Sequence, residues 1–240
     1  EARMYRATAV VAASSDAAGD GRGKPGMGGY CHGFYWRIHL PSDILSIMHI
    51  TAWETLAAAV NILVTARLAG KEATLALQVD ALLTPYVISK QKSKSENVQS
   101  ILQKLLSDSE YTNDIAWRLV LRHLSGDGNV PSDLASRALW QELTDLCRLL
   151  RVRPVCVHLT QRERDFVMAV VQEAAGRREK RVTRSAIQEM FQTPPLIGAA
   201  EQQAAAKAKL TGCKRERAAD SRQASSKRAS ERLGTSVVNN

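Results

Sequence analysis

Four acidic residues stand at positions where a fold would bring them together: Asp16, Glu54, Asp80 and Asp133. Asp16 and Asp80 each come directly after a predicted β-strand, and the other two lie in the first turns of predicted helices. Strand ends and nearby helix starts meet at one edge of a sheet, so the four carboxylates are expected to converge there. Clustered carboxylates repel one another unless cations compensate them, and their hard oxygen ligands select Mg²⁺ or Mn²⁺. Two such ions about 4 Å apart form an arrangement that hydrolyses phosphodiesters, which is the chemistry this set predicts.

Each of these residues also has a structural explanation when it is taken alone. Asp16 suits an ordinary loop, and Asp80 suits the N-cap of the helix that follows it. Thr51 and Glu54 have the spacing of a capping box, and Asp133 would complement a helix dipole. The metal-site hypothesis therefore depends on the order and context of the four residues together.

The segments that position these residues predict strands alternating with helices. Strands are predicted over 8–15, 30–40, 73–79 and 115–121, and helices over 50–68, about 81–89, the second half of 91–108, and 130–150. The helix over 50–68 is apolar on most faces, which indicates burial, and Gly70 would end it. No third strand is visible between Leu40 and His49. The predicted fold class is α/β, a mixed β-sheet flanked by α-helices.

Beyond residue 140 the chain is predicted to continue as a helical, basic extension. A short strand within 151–159 and a helix over 161–180 belong to this extension, which covers 141–193. Residues 194–240 are rich in Ala, Gln, Lys, Arg and Ser and cannot bury enough apolar surface to order themselves, so they are predicted to be a tail or linker. The predicted domain that carries the acidic residues spans 7–140.

Composition and charge limit the class of protein. The 240 residues are 45% hydrophobic and 24% charged, which are ordinary globular values. The net charge is +9, of which +8 falls after residue 140, so the basic character belongs mainly to the extension and tail. No apolar run approaches the ~20 residues that cross a bilayer, which predicts no membrane partner. The first residue is Glu1, which suggests a fragment or processed piece of a longer protein.

The cysteines indicate reduced thiols. Cys31, Cys147, Cys156 and Cys213 lie far apart with no C-x-x-C spacing, which argues against a zinc finger. A disulfide framework is not expected in a chain of this length without a secretory signal. The predicted setting is intracellular, in the cytoplasm or nucleus.

Four blocks of the sequence occur in an informative order: SSDAAGDGRGKPGMGGYCHGFYW, HITAWETLAAAV, LALQVDALLTPYVISKQKSKS and RHLSGDGNVPSDLASR. Together they resemble a ribonuclease H domain of the type attached to reverse transcriptases in retroelement polyproteins. The last block is the most specific, since it resembles the His-x(5)-Asn-x(3)-Asp-x-Leu/Ala-Ser-Arg ending found in DIRS-like and related long-terminal-repeat elements. The resemblance covers residues 9–140, with a glycine-rich segment after Asp16 that is longer than is common in that family.

The resemblance implies a ribonuclease H-like fold that hydrolyses the RNA strand of RNA–DNA hybrids during reverse transcription. It implies that the four acidic residues hold two Mg²⁺ ions, with Mn²⁺ as an alternative, and that His123 assists proton movement or product release. It also implies that Asn129 braces the turn before Asp133 at the nucleic acid, and that a reverse transcriptase domain of the same polyprotein lies upstream. The basic loop would hold the backbone of the opposite strand, unless it is simply solvated, through Lys90, Lys92 and Lys94.

Two other functions stay open at the level of the sequence. The domain could be a catalytically inactive descendant that keeps the fold as a connection module. Alternatively, the chain could be a basic nucleic-acid-binding protein whose functional part is the tail over 194–240. Trp53 and Trp117 are predicted to be core aromatic residues rather than stacking platforms.

Overall fold

Six strands form one mixed sheet in the computed structural model, which describes residues 9–19 and 21–194. They are β1 (Val10–Ala18), β2 (Gly26–Cys31), β3 (Phe34–His39), β4 (Thr74–Val79), β5 (Leu119–His123) and β6 (Val155–Cys156). Their order across the sheet is β5-β4-β1-β2-β3-β6. Strands β1, β2 and β3 pair antiparallel, whereas β4 and β5 run parallel to β1, and β6 runs parallel to β3. The predicted α/β class with a mixed sheet is confirmed.

Helices cover both faces of this sheet. They are α1 (Ser42–Leu45), α2 (Ile50–Ala69), α3 (Leu83–Lys90), α4 (Glu96–Ser107), α5 (Val130–Ser136), α6 (Trp140–Leu149), α7 (Gln161–Arg177) and α8 (Arg184–Met190). Helix α2 lies against β1, β2 and β4, and α4 and α7 pack on α2. Helix α5 lies on the opposite face, against β1, β2 and β3, with α6 beside it. No helix among the described residues is long and apolar enough to cross a membrane.

The glycine-rich segment after Asp16 is divided between the sheet and the connection from β1 to β2, and its last glycines lie in β2. The predicted strand over 30–40 is two strands, β2 and β3, joined by a turn in which His32 and Gly33 have positive φ. Because this turn separates β2 from β3, the sheet contains the third strand that was not visible in the sequence. Glycine disfavours strands by itself, but pairing on both sides holds β2 in the sheet. Asp16 consequently lies within β1, and the prediction that it follows the strand was wrong.

Two further elements differ from their predicted bounds. Residues 111–118 form a π-helical turn and a 3₁₀ turn, so β5 begins at Leu119 rather than at residue 115. The predicted helix over 130–150 is broken into α5 and α6, because Ala138 between them adopts a left-handed backbone conformation. Pro131 lies in the first turn of α5, as its position predicted.

Helix α7 is part of the central core. Its buried side chains Phe166, Val167, Val170 and Val171 join the apolar cluster that contains α2 and α4. The 141–193 extension therefore shares one compact unit with the predicted 7–140 domain, and that unit ends near residue 197. The tail predicted over 194–240 lies outside the described residues, apart from its first residue.

A partly buried ion pair ties α7 to α2. Arg67 Nε donates to Glu163 Oε1 at 3.0 Å, and the Glu163 side chain is only 3% exposed. The Glu163 carboxylate also accepts the Thr160 backbone N–H, which completes a capping box at the start of α7. The start of α7 is therefore fixed to the far end of α2 by both charge and hydrogen bonds.

Candidate active site

The four predicted carboxylates lie near one end of the central strands. Ser15 of β1 pairs with Val79 of β4, and Val79 pairs with His123 of β5, so Asp16 and Asp80 come next on neighbouring strands. The other two carboxylates, Glu54 and Asp133, lie in the early turns of α2 and α5. The pKa values of three of the four are raised, in part by the charges of the others. Each of the four therefore lies within electrostatic range of at least one other, and their convergence into a single ligand group stays a prediction.

Asp16 is buried between β1 and α5. Gly28 pairs with it in β2, and a Cβ at Gly28 would lie 2.6 Å from the backbone nitrogen of Ser136. The absence of a side chain at Gly28 therefore lets the backbone of α5 lie directly on the sheet. The Ser136 hydroxyl consequently reaches Asp16 and donates a hydrogen bond to its Oδ2. Burial raises the pKa of Asp16 to about 6, although the bond from Ser136 opposes the shift.

Glu54 lies in the second turn of α2, and its predicted capping box with Thr51 was wrong. The N-cap is His49, whose ring nitrogen accepts the Thr51 N–H. Within the described part of the chain, the half-buried Glu54 carboxylate has no hydrogen-bond or ion-pair partner. Burial, followed by the charges of Asp80 and Asp16, raises the pKa of Glu54 to about 7. Partial burial without a partner thus disfavours the charged form of this carboxyl group.

Asp80 directly follows β4 and lies beside His123. Burial is the main cause that raises the pKa of Asp80, and backbone N–H groups of Asp80 and Ala81 oppose the shift. His123 Nε2 lies 2.9 Å from the Asp80 carbonyl oxygen. A carbonyl only accepts hydrogen bonds, so Nε2 carries the proton, and Nδ1 of a neutral ring is left as a proton acceptor. The exposed His123 is thus held at the rim of the carboxylate cluster.

Asp133 is engaged by a residue of its own helix turn. Arg137 Nε donates to Asp133 Oδ1 at 2.6 Å, and the guanidinium also attracts Asp16 and Asp80 electrostatically. These interactions raise the pKa of Arg137, which acts as an internal countercharge for the cluster. In the sequence, Ser136 and Arg137 are only the last two residues of the block RHLSGDGNVPSDLASR, with no role assigned to them. Their spacing of three and four residues from Asp133 was the available signal that they share its helical face.

Asn129 does not face a nucleic-acid surface. It is 1% exposed, its amide donates to the Ser15 carbonyl at 2.9 Å, and its side-chain oxygen accepts from the Ser132 hydroxyl. These bonds tie β1 to the start of α5, one turn before Asp133. The bracing role that the resemblance implies is observed, whereas the nucleic-acid contact at Asn129 was wrong because the side chain is buried.

The surface beyond Asp80 combines basic and apolar side chains. The predicted contacts Lys90, Lys92 and Lys94 are all exposed, at the end of α3 and in the loop before α4. Between them and Asp80, three large apolar side chains are also exposed: Leu82 (70%), Leu83 (59%) and Tyr86 (60%). This exposure is not predictable from the sequence, since a short apolar helix ordinarily buries such residues.

The two tryptophans behave differently from each other. Trp53 is fully buried, as predicted, and its indole N–H donates to the Leu45 carbonyl. Trp117 is 74% exposed, so its prediction as a core residue was wrong. It lies before β5, at the opposite end of that strand from His123, and so does not belong to the carboxylate cluster.

The donor set suits divalent cations by its chemistry. Its members are carboxylates, three of which have pKa values raised by burial and mutual repulsion that a cation would relieve. In residues 9–19 and 21–194, no three His, Cys, Asp or Glu side chains are already placed as a ligand group. Two of the carboxylates already have partners, since Asp16 accepts from Ser136 and Asp133 from Arg137. Cation binding would have to compete with these contacts.

Without metal, the chain is expected to lose stability as the pH rises from about 5 to 8. The folded-state pKa values of Asp16 and Glu54, about 6 and about 7, lie above their ordinary values, so the folded chain binds more protons than the unfolded chain in this range. Glu54→Gln removes one of these charges. We expect it to raise the free energy of unfolding at pH 8 by about 1–2 kcal/mol, after allowance for solvent screening, and to have little effect near pH 4.

Urea unfolding in EDTA across this pH range measures the effect. Glu72→Gln is the matched control, because Glu72 is exposed in the turn after α2. Equal effects of the two substitutions at pH 8 would contradict the raised pKa of Glu54.

The chain matches no family model, no curated protein and no solved structure.

Proposed function

We propose that this chain is the ribonuclease H domain of a retroelement reverse transcriptase polyprotein, and that it hydrolyses the RNA strand of RNA–DNA hybrids. The observation that carries the proposal is the placement of four carboxylates near one end of the sheet, within β1, directly after β4, and in the early turns of α2 and α5: Asp16, Asp80, Glu54 and Asp133. The sheet supports it as well. An antiparallel β1–β2–β3 unit followed by helix α2 and two strands parallel to β1 is compatible with a ribonuclease H-like fold.

The four carboxylates would hold two Mg²⁺ ions, or Mn²⁺ in their place. When bound, such ions supply the activation of water and the stabilisation of the leaving 3′ oxygen. Ser136 and Arg137 orient two of the carboxylates before any cation arrives. His123 is exposed at the rim with a free ring nitrogen, where it would accept a proton or assist release of the product.

The hybrid would lie across the surface that extends from Asp80 along α3 to the basic loop. The lysines there would contact phosphates, and the exposed ring of Tyr86 would contact sugars or bases. Contacts to 2′-hydroxyl groups would distinguish the RNA strand from DNA.

Replacing Lys90, Lys92 and Lys94 together by Gln is expected to weaken hybrid binding and its salt dependence. Each phosphate contact contributes about 0.9 to the slope of log K against log salt concentration, so the slope should fall by about 2 to 3. Fluorescence anisotropy between low and moderate salt measures it. The control is Arg151→Gln with Arg153→Gln, two exposed cations after α6, which should leave the slope unchanged. Equal changes in both variants would exclude a specific role for the loop.

A cleavage assay tests the proposal directly. The intact chain is incubated with labelled RNA–DNA hybrid, RNA duplex or DNA duplex, in Mg²⁺, Mn²⁺ or EDTA. We expect cleavage of the RNA strand of the hybrid alone, and none in EDTA. No cleavage of the hybrid with either metal would overturn the catalytic assignment.

One observation favours a second function, that of an inactive module that only binds nucleic acid. The ion pair between Arg137 and Asp133 already occupies one carboxylate of the set. Hybrid binding without cleavage, unaltered when Arg137 is replaced by Gln, would support this alternative. Loss of binding after deletion of residues 194–240 would instead place the function in the basic tail.

A further inference from the structure

A cleft of about 380 Å³ opens on the face of the sheet that carries α5. Residues of β1 and β4 line it together with the start of α5 and the segment after α6. Its apolar lining includes Ala12, Pro131, Leu150 and Val152. Sites for small ligands usually have volumes of roughly 300–1,000 Å³, so this cleft has room for a small organic molecule.

Cross-strand pairing places an exposed cation on the same face, directly beside the cleft. Ser14, Gln78 and Arg122 pair in one row across β1, β4 and β5. Side chains of one row point to the same face, and the Ser14 hydroxyl contacts that of Ser132, so this is the face that carries α5. Ser14 and Gln78 line the cleft. Arg122 comes next in the row, with its Cα about 5 Å from that of Gln78 by strand spacing.

The protein itself does not use the polar groups at this cleft. In the part of the chain that the structure describes, the half-buried Gln78 amide and the exposed His32 ring, which both line the cleft, have no hydrogen-bond partner. The exposed Arg122 pairs with no carboxylate in the same ranges. None of the described residues that line the cleft is acidic. The cleft therefore offers hydrogen-bonding groups and a neighbouring positive charge to a neutral or anionic ligand.

A nucleotide has a part that complements each of these features. The apolar lining suits the faces of a nucleobase, and the Gln78 amide offers the adjacent donor and acceptor that pair with the edge of adenine. The Arg122 guanidinium suits a phosphate group beside the base. We propose that this cleft binds a nucleoside monophosphate, either free or as the end of a single nucleic-acid strand, with the base in the cleft and the phosphate at Arg122.

This cleft is separate from the surface along which the hybrid would lie. That surface follows α3, which packs on α2, whereas the cleft opens on the face that carries α5. None of the four carboxylates lines the cleft. Nucleotide binding here is therefore independent of the proposed hydrolysis, and the result of the cleavage assay has no bearing on it.

Isothermal calorimetry of the full chain with AMP tests the proposal, with EDTA present to prevent binding through a metal ion. We expect one site, which Arg122→Gln weakens about tenfold through the loss of a charged hydrogen bond and Gln78→Met weakens several-fold. Ala12→Phe should abolish binding, because Ala12 is exposed on the floor of the cleft and a phenyl ring there would fill it.

The matched control is Arg184→Gln, which should leave AMP binding unchanged. Arg184 is an exposed cation at the start of α8, and α8 packs through Ala186 and Met190 into the core that contains α2. Equal losses in Arg122→Gln and Arg184→Gln would show that only net charge matters, and the proposal would be rejected. It would also be rejected if the intact chain bound no AMP, or if Ala12→Phe bound AMP as the wild type does while its circular dichroism showed a folded chain.

Two partial ligands test the assignment of base and phosphate to their places. Adenosine and ribose phosphate should each bind more weakly than AMP, and only ribose phosphate should respond to Arg122→Gln. A labelled single-stranded oligoadenylate with a terminal phosphate then distinguishes the two sources. Displacement of this strand by AMP, with weaker strand binding by Arg122→Gln, identifies a strand end as the ligand, whereas AMP binding without displacement identifies a free nucleotide.

Discussion

Replacing Asp80 by Asn is expected to reduce hydrolysis of the RNA strand by about a thousandfold or more. Asp80 occupies the centre of the cluster, since its charge acts on both Asp16 and Glu54 and it in turn responds to Asp133. A divalent cation contributes several kcal/mol of transition-state stabilisation, and about 4 kcal/mol corresponds to a factor of 10³ in rate. Asparagine keeps the shape of the side chain and leaves the carbonyl that holds His123, so the loss would report on the carboxylate charge alone.

The same substitution should not destabilise the chain. The pKa of Asp80 is raised, which means that its ionised form is disfavoured in the folded state, so a neutral side chain is at least as stable there at pH 7 to 8. Thermal unfolding of the variant in EDTA separates lost chemistry from lost structure. Asp165→Asn, which removes an exposed carboxylate on α7, is the control and should retain full activity. Undiminished cleavage by Asp80→Asn would show that the cluster is not the catalytic centre.

The placement of the carboxylates near one end of the sheet was predictable because it depends on the order of the elements. An acidic residue directly after a buried strand comes out at the sheet edge whatever the details of packing, and this held for Asp80. The same argument also placed Asp16 at this edge, although β1 continues for two residues beyond Asp16. Alternation along β1 then determines that Asp16 faces α5 rather than α2.

The contacts that hold the carboxylates were not predictable in the same way. The bond from Ser136 to Asp16 exists because Gly28 lets the backbone of α5 touch the sheet, a relation between residues more than a hundred positions apart. The glycines themselves argued for a loop, because their intrinsic preference opposes a strand, and only pairing with both neighbouring strands overrides it. Asn129 was predicted to contact nucleic acid because a polar residue in a loop is usually exposed. The sequence does not show that its amide donates to the distant Ser15 carbonyl, which buries it.

The place of α7 was also hidden from the sequence. Its apolar pattern indicates a buried face but does not say which surface covers it, and the charge step at residue 140 suggested a separate extension. In the structure this face packs on α2 and α4, while Arg67 and Glu163 join the two regions. The first turns of α2 carry Glu54, so the helix that supports one of the four carboxylates is itself held by the extension.

A chain that ends at residue 140 is therefore expected not to fold. It would lose four apolar side chains of α7 that are 0 to 9% exposed: Phe166, Val167, Val170 and Val171. Full burial of each contributes about 1.5–3 kcal/mol, so the four together contribute about 6–12 kcal/mol, which is comparable to the roughly 5–15 kcal/mol by which domains are typically stable. Loss of the cooperative urea transition and of near-ultraviolet circular dichroism measures the effect. A chain that ends at residue 197 should keep both, because the described core lies within it.

The substitution Val170→Asp tests in the full-length chain whether α7 is needed for folding. Val170 is fully buried against the core, whereas Ala169 beside it is exposed on the outer side of α7. Val170→Asp places an unpaired carboxylate in the apolar cluster and should abolish cooperative unfolding, while Ala169→Asp should change the free energy of unfolding by less than about 0.5 kcal/mol. If Val170→Asp folds and cleaves the hybrid normally, α7 is dispensable and the catalytic domain ends where the charge changes. If Val170→Asp loses both its folding and its cleavage of the hybrid, the extension is a structural part of the catalytic domain. Glu54 would then be positioned only when α2 is packed on both sides.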